Sequence, residues 1–358
     1  MIVLTRQQAR RTAVRAQLLT RDRPAGLPEL VGHLTFLQYD QTSAVAPNAD
    51  LIAWSRLGSS YRPELLTEAL EDRTFIEFKG LIRPYDDLAL LKARMAAWDD
   101  PDDQFSHPRA YAFVTANAAC RRDILSRLDA GGPLPASELP DTCEVPWSSS
   151  GWNNNRSLTM MLECLASRGE IAIADRDGRE RLWDLAHRVY PPETVGEPEA
   201  TRIRDERLLR SQGLLRARRG FEAGEPATVT GVRGTWRVDP AYLDLPFAGR
   251  TALLSPLDRL VFDRKRLLDL FAFDYTLEMY KPPAKRKWGY WAMPILRGDR
   301  LIGKLDATAD HAHRVLRVDA VHQDAPFDRA TTAAVQREIR DLAAWLGLDL
   351  DLPAGFST

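Results

Sequence analysis

Leu30, Leu34 and Leu37 recur at i, i+4 and i+7, the spacing that lines one face of an amphipathic helix. Leu51, Trp54 and Leu57 repeat that rhythm and stop at Gly58, a residue suited to the left-handed turn that ends helices. Ahead of both, Thr5-Arg6-Gln7-Gln8 has the T-x-x-Q form of a capping box, so a helix is predicted to start there. "YRPELLTEALEDR" and "PYDDLALLKARMAAW" carry two further amphipathic segments, and the acidic "DDPDDQFSHP" reads as a loop. The N-terminal third is therefore expected to be helical.

The period changes in the middle of the chain. In "WNNNRSLTMMLECLASRGE", Leu158, Met161, Leu162 and Leu165 form a helical stripe, with Asn154 or Asn155 as the cap and Gly169 as the stop. Next, in "EIAIADRDGRERLWDLA", Ile171 and Ile173 alternate with small residues, and Asp177-Gly178 has the form of a tight hairpin turn. With a short helix near "PASELP", this is the element order of a winged helix. "PPETVGEPEA" reads as a linker. A second such unit would pair the basic helix "TRIRDERLLRSQGLL" with two strands in "ATVTGVRGTWRVDP", joined through Gly231 and Gly234. From Thr251 the pattern is antiparallel β. Phe273, Tyr275, Leu277 and Met279 alternate with Asp274, Thr276, Glu278 and Tyr280. "WGYWAMPILRGDRLIGKLDA" supplies strands around a turn at Gly298-Asp299, and "RVLRVDAV" another. A closing helix carries Val335, Ile339, Leu342 and Leu346 on one face.

Composition bounds the class. The 358 residues, 44% apolar and 28% charged, allow two or three cores in an ordinary globular protein. No apolar run reaches the length of a membrane span, and "MIVLTRQQARR" lacks the form of a secretory signal, so a cytoplasmic location is expected. Cys120, Cys143 and Cys164, with six scattered His, have no metal-ligand spacing. No metal and no cofactor are expected. Net charge is −1, but Arg6, Arg10, Arg11, Arg15, Arg21 and Arg23 cluster near the start. Arg202, Arg204, Arg207, Arg210, Arg216, Arg218 and Arg219 face only Asp205 and Glu206, and "KPPAKRK" adds a third basic cluster. Local patches set the field a polyanion meets. Such faces are equally compatible with plain solvation.

Gln38-Tyr39-Asp40 interrupts the first helical pattern with an amide and a carboxylate two positions apart. In one reading Asp40 caps a helix beginning at Gln41, and Gln38 is a solvated last-turn residue. In the other, both groups address one water molecule. Residues two apart on a helix do not face each other, whereas in extended backbone they share a side. The second reading therefore requires the helix to end by about Leu37.

The stretches "LQYDQ", "IAWSRLG", "LECLASRGEIAIADRDGRERLWDLAHRVYP", "LLSPLDRLVFDRKRLLDLFAFDYTLEMYKPPAKRKWGYWAMPIL" and "DRLIGKLDA" occur in this order over most of residues 30–320. Together they resemble the winged-helix DNA glycosylases of the AlkZ/YcaQ type. One branch of that family carries Gln-x-Gln at the catalytic position and the other Gln-x-Asp. Gln38 and Asp40 match the second. "FIEFKGLIRPYDDL" lacks the His-containing segment of some members, which bears on lesion range rather than fold.

The resemblance implies an α+β protein of tandem winged-helix modules, a small antiparallel β-barrel and a C-terminal helix. Its expected divisions are 1–125 with the catalytic motif, 126–195, 196–248, and 249–358 for the barrel. The implied reaction is excision of bulky N7-alkylguanine, including some crosslinks, in general repair or in self-resistance to an alkylating agent. The implied partner is double-stranded DNA containing alkylated purines, with no membrane and no obligate protein partner. DNA contacts are expected at Arg56, Arg156, Arg179, Arg181, Lys285, Arg286, Lys287 and Trp288, the last four in a loop joining two strands. Arg181 has an alternative use as an ion-pair partner of Asp184 or Glu180. Trp54, Trp152, Trp183 and His33 are expected to be structural. The alternative class is a non-catalytic winged-helix regulator or lesion sensor.

Overall fold

The structure, a computed structural model, describes residues 1–100, 108–148, 156–354 and 356. The chain is of mixed α and β type and forms two compact units, Met1–Leu66 with Asp205–Thr358, and Thr67–Arg204. Among the described residues no helix is long and apolar enough to cross a membrane. Most of the loop expected in "DDPDDQFSHP", together with Trp152, Asn154 and Asn155, lies outside the described residues.

In the first unit, helix α1 spans Arg6–Ala16 and opens on the expected capping box. Gln8 N–H donates to the Thr5 hydroxyl, and Thr5 N–H donates to the Gln8 amide oxygen. Its apolar face, Ala9, Ala13 and Val14, is buried in a core with Trp236, Leu267 and Leu270. Helices α2, Leu27–Leu34, and α3, Asn48–Leu57, follow, and Gly58 ends the latter at φ 71°. The N-terminal residues Ile2–Leu4, too short to show a period, pair in parallel with Glu225–Val229. Trp236–Val238 and Leu214–Arg216 complete that four-stranded sheet. Gly231 and Gly234, both at positive φ, lie in the connection as expected. The basic helix begins at Glu197, inside the expected linker, and its residues from Asp205 onward belong to this unit. Glu197 and Glu199 place negative charge where the helix dipole favours it.

A five-stranded sheet carries Thr251–Leu253, Met293–Arg297, Arg300–Asp310, Val315–Gln323 and Asp349–Asp351 in that order. Its neighbours are antiparallel except the last pair, and Gly298 (φ 60°) turns the central hairpin. Helix Arg329–Leu346 buries Val335, Ile339 and Leu342, with Leu346 only half-buried. The strand expected over Phe273–Tyr280 does not form. Phe273 and Tyr275 are buried and Asp274 and Thr276 exposed, so the alternation is real. Alternation reports an extended backbone with one side covered, but not a ladder partner. Glu278 then reverses the phase by being buried itself.

In the second unit, helices Pro108–Ala116, Ala118–Gly131 and Ser157–Ser167 precede the hairpin Ile171–Asp177 and Glu180–Leu185. Leu134–Pro135 adds a third strand and Ala136–Glu138 a single helical turn. Met161, Leu162 and Leu165 pack with Ile124, Leu128 and Trp183, and Gly169 (φ 70°) ends the helix as expected. "FIEFKGLIRPYDDL" contributes a hairpin that periodicity did not reveal, Phe75–Phe78 with Leu81–Pro84. Lys79 and Gly80 both sit at positive φ, the backbone form that closes two-residue hairpins.

Candidate active site

Helix α2 stops at Leu34, three residues before the expected end, with Thr35 in the left-handed region (φ 69°). Leu37 is therefore not on the helical stripe. It is buried from an extended segment, Leu37–Gln38. Part of the cause lies far along the chain. The Arg259 guanidinium donates to the Leu34 carbonyl and to the Thr35 hydroxyl, and it stacks 4.2 Å from the Phe36 ring centroid. It satisfies a carbonyl that the ending helix would leave open.

The helix has thus ended before Gln38, as the shared-water reading requires. Asp40 N–H donates to the Gln38 carbonyl (3.2 Å), closing a tight turn over Tyr39. Thr42 N–H donates to one Asp40 carboxylate oxygen (2.8 Å). No helix begins at Gln41: residues 41–47 are irregular and α3 starts after Pro47. The capping role considered for Asp40 is therefore absent. Gln38 and Asp40 are both half-buried.

Asn48, fully buried at the start of α3, holds this turn from behind. Its Nδ2 donates to the Gln38 carbonyl (2.8 Å) and its backbone N–H to the Asp40 carbonyl (3.1 Å). Its Oδ1 accepts from the buried Ser255 hydroxyl (2.6 Å). On the other side of the turn, Ala309 N–H donates to the Ala44 carbonyl (2.8 Å), fixing the segment to the longest strand. Neither Asn48 nor Ser255 was marked by the sequence pattern. A polar residue opening a helix looks like an ordinary cap.

The remaining expected site residues divide. Arg56 has no exposed surface and forms an ion pair with Asp258, equally buried, while its Nε donates to the Gln17 carbonyl (3.1 Å). It is an internal cross-link and not a DNA contact, which corrects the expectation. Arg181 pairs with Glu77 (2.8 Å) and Glu163 (2.6 Å), neither of them the partners considered for it. Asp184 instead meets Arg188 (3.2 Å). Two carboxylates engage Arg181 within the fold while about a quarter of its side chain stays exposed, so its ion-pair use is observed, with partners other than those considered. Arg156 and Arg179 are exposed, at the start of Ser157–Ser167 and at the hairpin tip, with no ion pair among the described residues.

The loop from Lys281 to Trp288 does not join two strands. It links the irregular segment 272–280 to Met293–Arg297 through a short turn, Pro283–Lys285. The buried Glu278 carboxylate organises it, accepting from Lys287 N–H (2.6 Å) and Trp288 N–H (2.8 Å) and pairing with Lys281 (2.7 Å). Burial alone would raise the Glu278 carboxyl, but the hydrogen bonds from Lys281, Trp288 and Lys287 hold it below its ordinary value. Trp288 is stacked on Tyr275, with Lys287 and Lys304 each 4.7 Å from its ring centroid. Arg286 is half-buried, donates to the Lys281 carbonyl (2.9 Å) and covers Tyr290, whereas Lys285 and Lys287 are exposed. Trp288, Lys287, Lys304 and His322 line an open concavity of about 560 Å³.

Other assignments hold. Trp54 and Trp183 are buried. His33 is half-buried, 2.7 Å from the Ala16 carbonyl, and burial lowers its pKa.

A family model described as "DNA glycosylase AlkZ-like" matches residues 31–345. Among solved structures, the chain is similar to Streptomyces sahachiroi DNA glycosylase AlkZ, with a TM-score of 0.61 and 15% sequence identity. That match covers 98% of this chain and 100% of the other. At such low identity the structural likeness speaks for the fold.

Proposed function

We propose, from the premise that this chain belongs to the AlkZ-like DNA glycosylase family, that Asp40 and Gln38 hydrolyse the N-glycosidic bond of N7-alkylated guanine in duplex DNA. The protein is a DNA glycosylase, which leaves no place for the non-catalytic alternative. An N7-alkylguanine is cationic and leaves its sugar more readily than an unmodified base. What remains is to stabilise the cationic sugar and to bring water to C1′. The Asp40 carboxylate offers negative charge to the developing cation and accepts the proton of the attacking water. The Gln38 amide orients that water by hydrogen bonding. The C1′–N9 bond breaks, the bonding pair neutralises the purine, and water oxygen takes its place on C1′. The products are free base and an abasic site, with no lysine adduct.

The observation that carries this reading is the early end of α2, which leaves Gln38 extended and frees Asp40 from any helix cap. The test is base release from N7-methylguanine duplex by wild type and Asp40→Asn. Wild type should release base and leave alkali-labile sites, while Asp40→Asn should lose at least about a hundredfold in rate. Equal abasic-site yields would remove Asp40 from the mechanism.

We read residues 126–195 as a winged-helix module. Supporting this are the order of helix, turn, helix and hairpin, and an exposed arginine immediately before the second helix, Arg156, with another at the hairpin tip, Arg179. Residues 1–125 and 196–248 are taken as further modules and 249–358 as the barrel domain. Lys285, Arg286, Lys287 and Trp288 are assigned to DNA, chiefly as contacts to the phosphate backbone. The exposure of Lys285 and Lys287 on a loop of fixed shape supports that role. Bulky and crosslinked N7 adducts are the proposed substrates, in cytoplasmic repair or self-resistance. A series of defined N7-guanine adducts of increasing size, scored for released base, separates these from small lesions.

A further inference from the structure

We infer that Asn48 is the positioning residue of the catalytic turn and that the Ser255 hydroxyl sets the orientation of its amide. The inference rests on the assignment of Gln38 and Asp40 as the reacting pair. A helix-opening Asn normally turns its side chain forward to the amides of its own first turn. Asn48 does not: Pro47 occupies the cap position, and no side-chain cap bond forms at this helix start. The amide points back across ten residues to the Gln38 carbonyl, while the Asn48 N–H takes the Asp40 carbonyl. One residue therefore holds the backbone on both sides of Tyr39.

The orientation of the amide is determined by its neighbours. The Gln38 carbonyl can only accept, so Nδ2 must face it and Oδ1 must face Ser255. Leu257 N–H donates to the Ser255 oxygen (3.3 Å), which directs the Ser255 proton to Asn48 Oδ1 (2.6 Å). The result is a directed chain from Leu257 N–H through Ser255 and Asn48 to the Gln38 carbonyl. Asn48 and Ser255 have no exposed surface, so water cannot replace a missing member without a rearrangement. A side chain of this length that donates at one end and accepts at the other is an amide. Carboxylate, hydroxyl and methyl each lack one of these functions or the reach.

Loss of the clamp should let the turn relax, moving Gln38 and Asp40 out of register with the water they share. Misalignment lowers the rate of the bond-breaking step without removing any group that binds DNA. The experiment measures two quantities at a temperature where each variant is folded by circular dichroism. These are the single-turnover release of 7-methylguanine from methylated duplex, and the affinity for undamaged duplex by fluorescence anisotropy. Asn48→Ala should slow release roughly 10- to 100-fold, Ser255→Ala by a smaller factor, and both should bind undamaged duplex as wild type does. If Asn48→Ala does not fold, Ser255→Ala, at the far end of the same bond, decides alone. Wild-type rates in the folded variants, with Asp40→Asn inactive, would overturn the clamp and leave the catalytic pair standing. A full rate in Asp40→Asn would overturn the pair and the clamp with it. Parallel loss of rate and affinity would overturn the clamp by showing that Asn48 only supports the fold.

Discussion

Two basic regions in the same compact unit use their charge in opposite ways. Around α1, Arg10 and Arg11 both reach Asp299, Arg15 donates to the carbonyls of Tyr242 and Leu245, and Arg6 to that of Gly231. These cations tie the helix to the segments packed around it. In the loop Lys281–Trp288 the only carboxylate bonded to the loop, among the described residues, is Glu278, which takes two backbone N–H groups and one lysine. Lys285 and Lys287 stay exposed. A cluster of arginines facing backbone carbonyls is structural, whereas a loop whose acid is spent on its own backbone leaves Lys285 and Lys287 open to solvent, as the proposed DNA role requires.

Three sets of substitutions probe this contrast. The largest effect is expected for an arginine wholly committed to the fold. Asp258→Ala leaves Arg56 buried without its counter-charge, and chemical denaturation should show a loss of about 3–5 kcal/mol. A near-neutral result would mean that Arg56 finds water and is less enclosed than its surroundings suggest. Next, Glu278→Ala should cost about 1–3 kcal/mol and open the loop to proteolysis between Lys281 and Trp288. Unchanged protection would show that aromatic packing around Trp288, not the carboxylate, holds the loop. The smallest change, and the most discriminating, is in salt dependence. Lys285→Ala with Lys287→Ala should reduce the slope of log affinity against log salt by about 0.9 for each phosphate no longer neutralised. Arg10→Ala should leave that slope alone and lower thermal stability instead. Equal slopes in the two variants would erase the distinction.

Much of the architecture was legible because its causes are local. The Thr5–Gln8 capping box, the Gly58 and Gly169 helix ends, and the turns at Gly178 and Gly298 each involve residues a few positions apart. The proposed catalytic pair, Gln38 and Asp40, was visible only through resemblance to a family, since spacing alone equally allowed a helix cap. Its geometry was not legible. Arg259, more than two hundred positions downstream, reaches the end of α2, and Ser255 orients Asn48 from a comparable distance. The misread strand at Phe273–Tyr280 has the same origin, because alternation describes one chain and a ladder needs two.

From the sequence alone follow many of the helical segments, the hairpins turning at Gly178 and Gly298, the α+β class, the family, and Gln38 and Asp40 as the pair to examine. Periodicity, turn chemistry and motif order are properties of neighbouring residues. Tertiary structure alone decided where α2 ends, which arginines are spent internally and what stands behind the Gln38–Asp40 turn. Those outcomes depend on partners for carbonyls, carboxylates and guanidinium groups. A buried polar group takes whichever partner folding brings within about 3 Å, however distant along the chain.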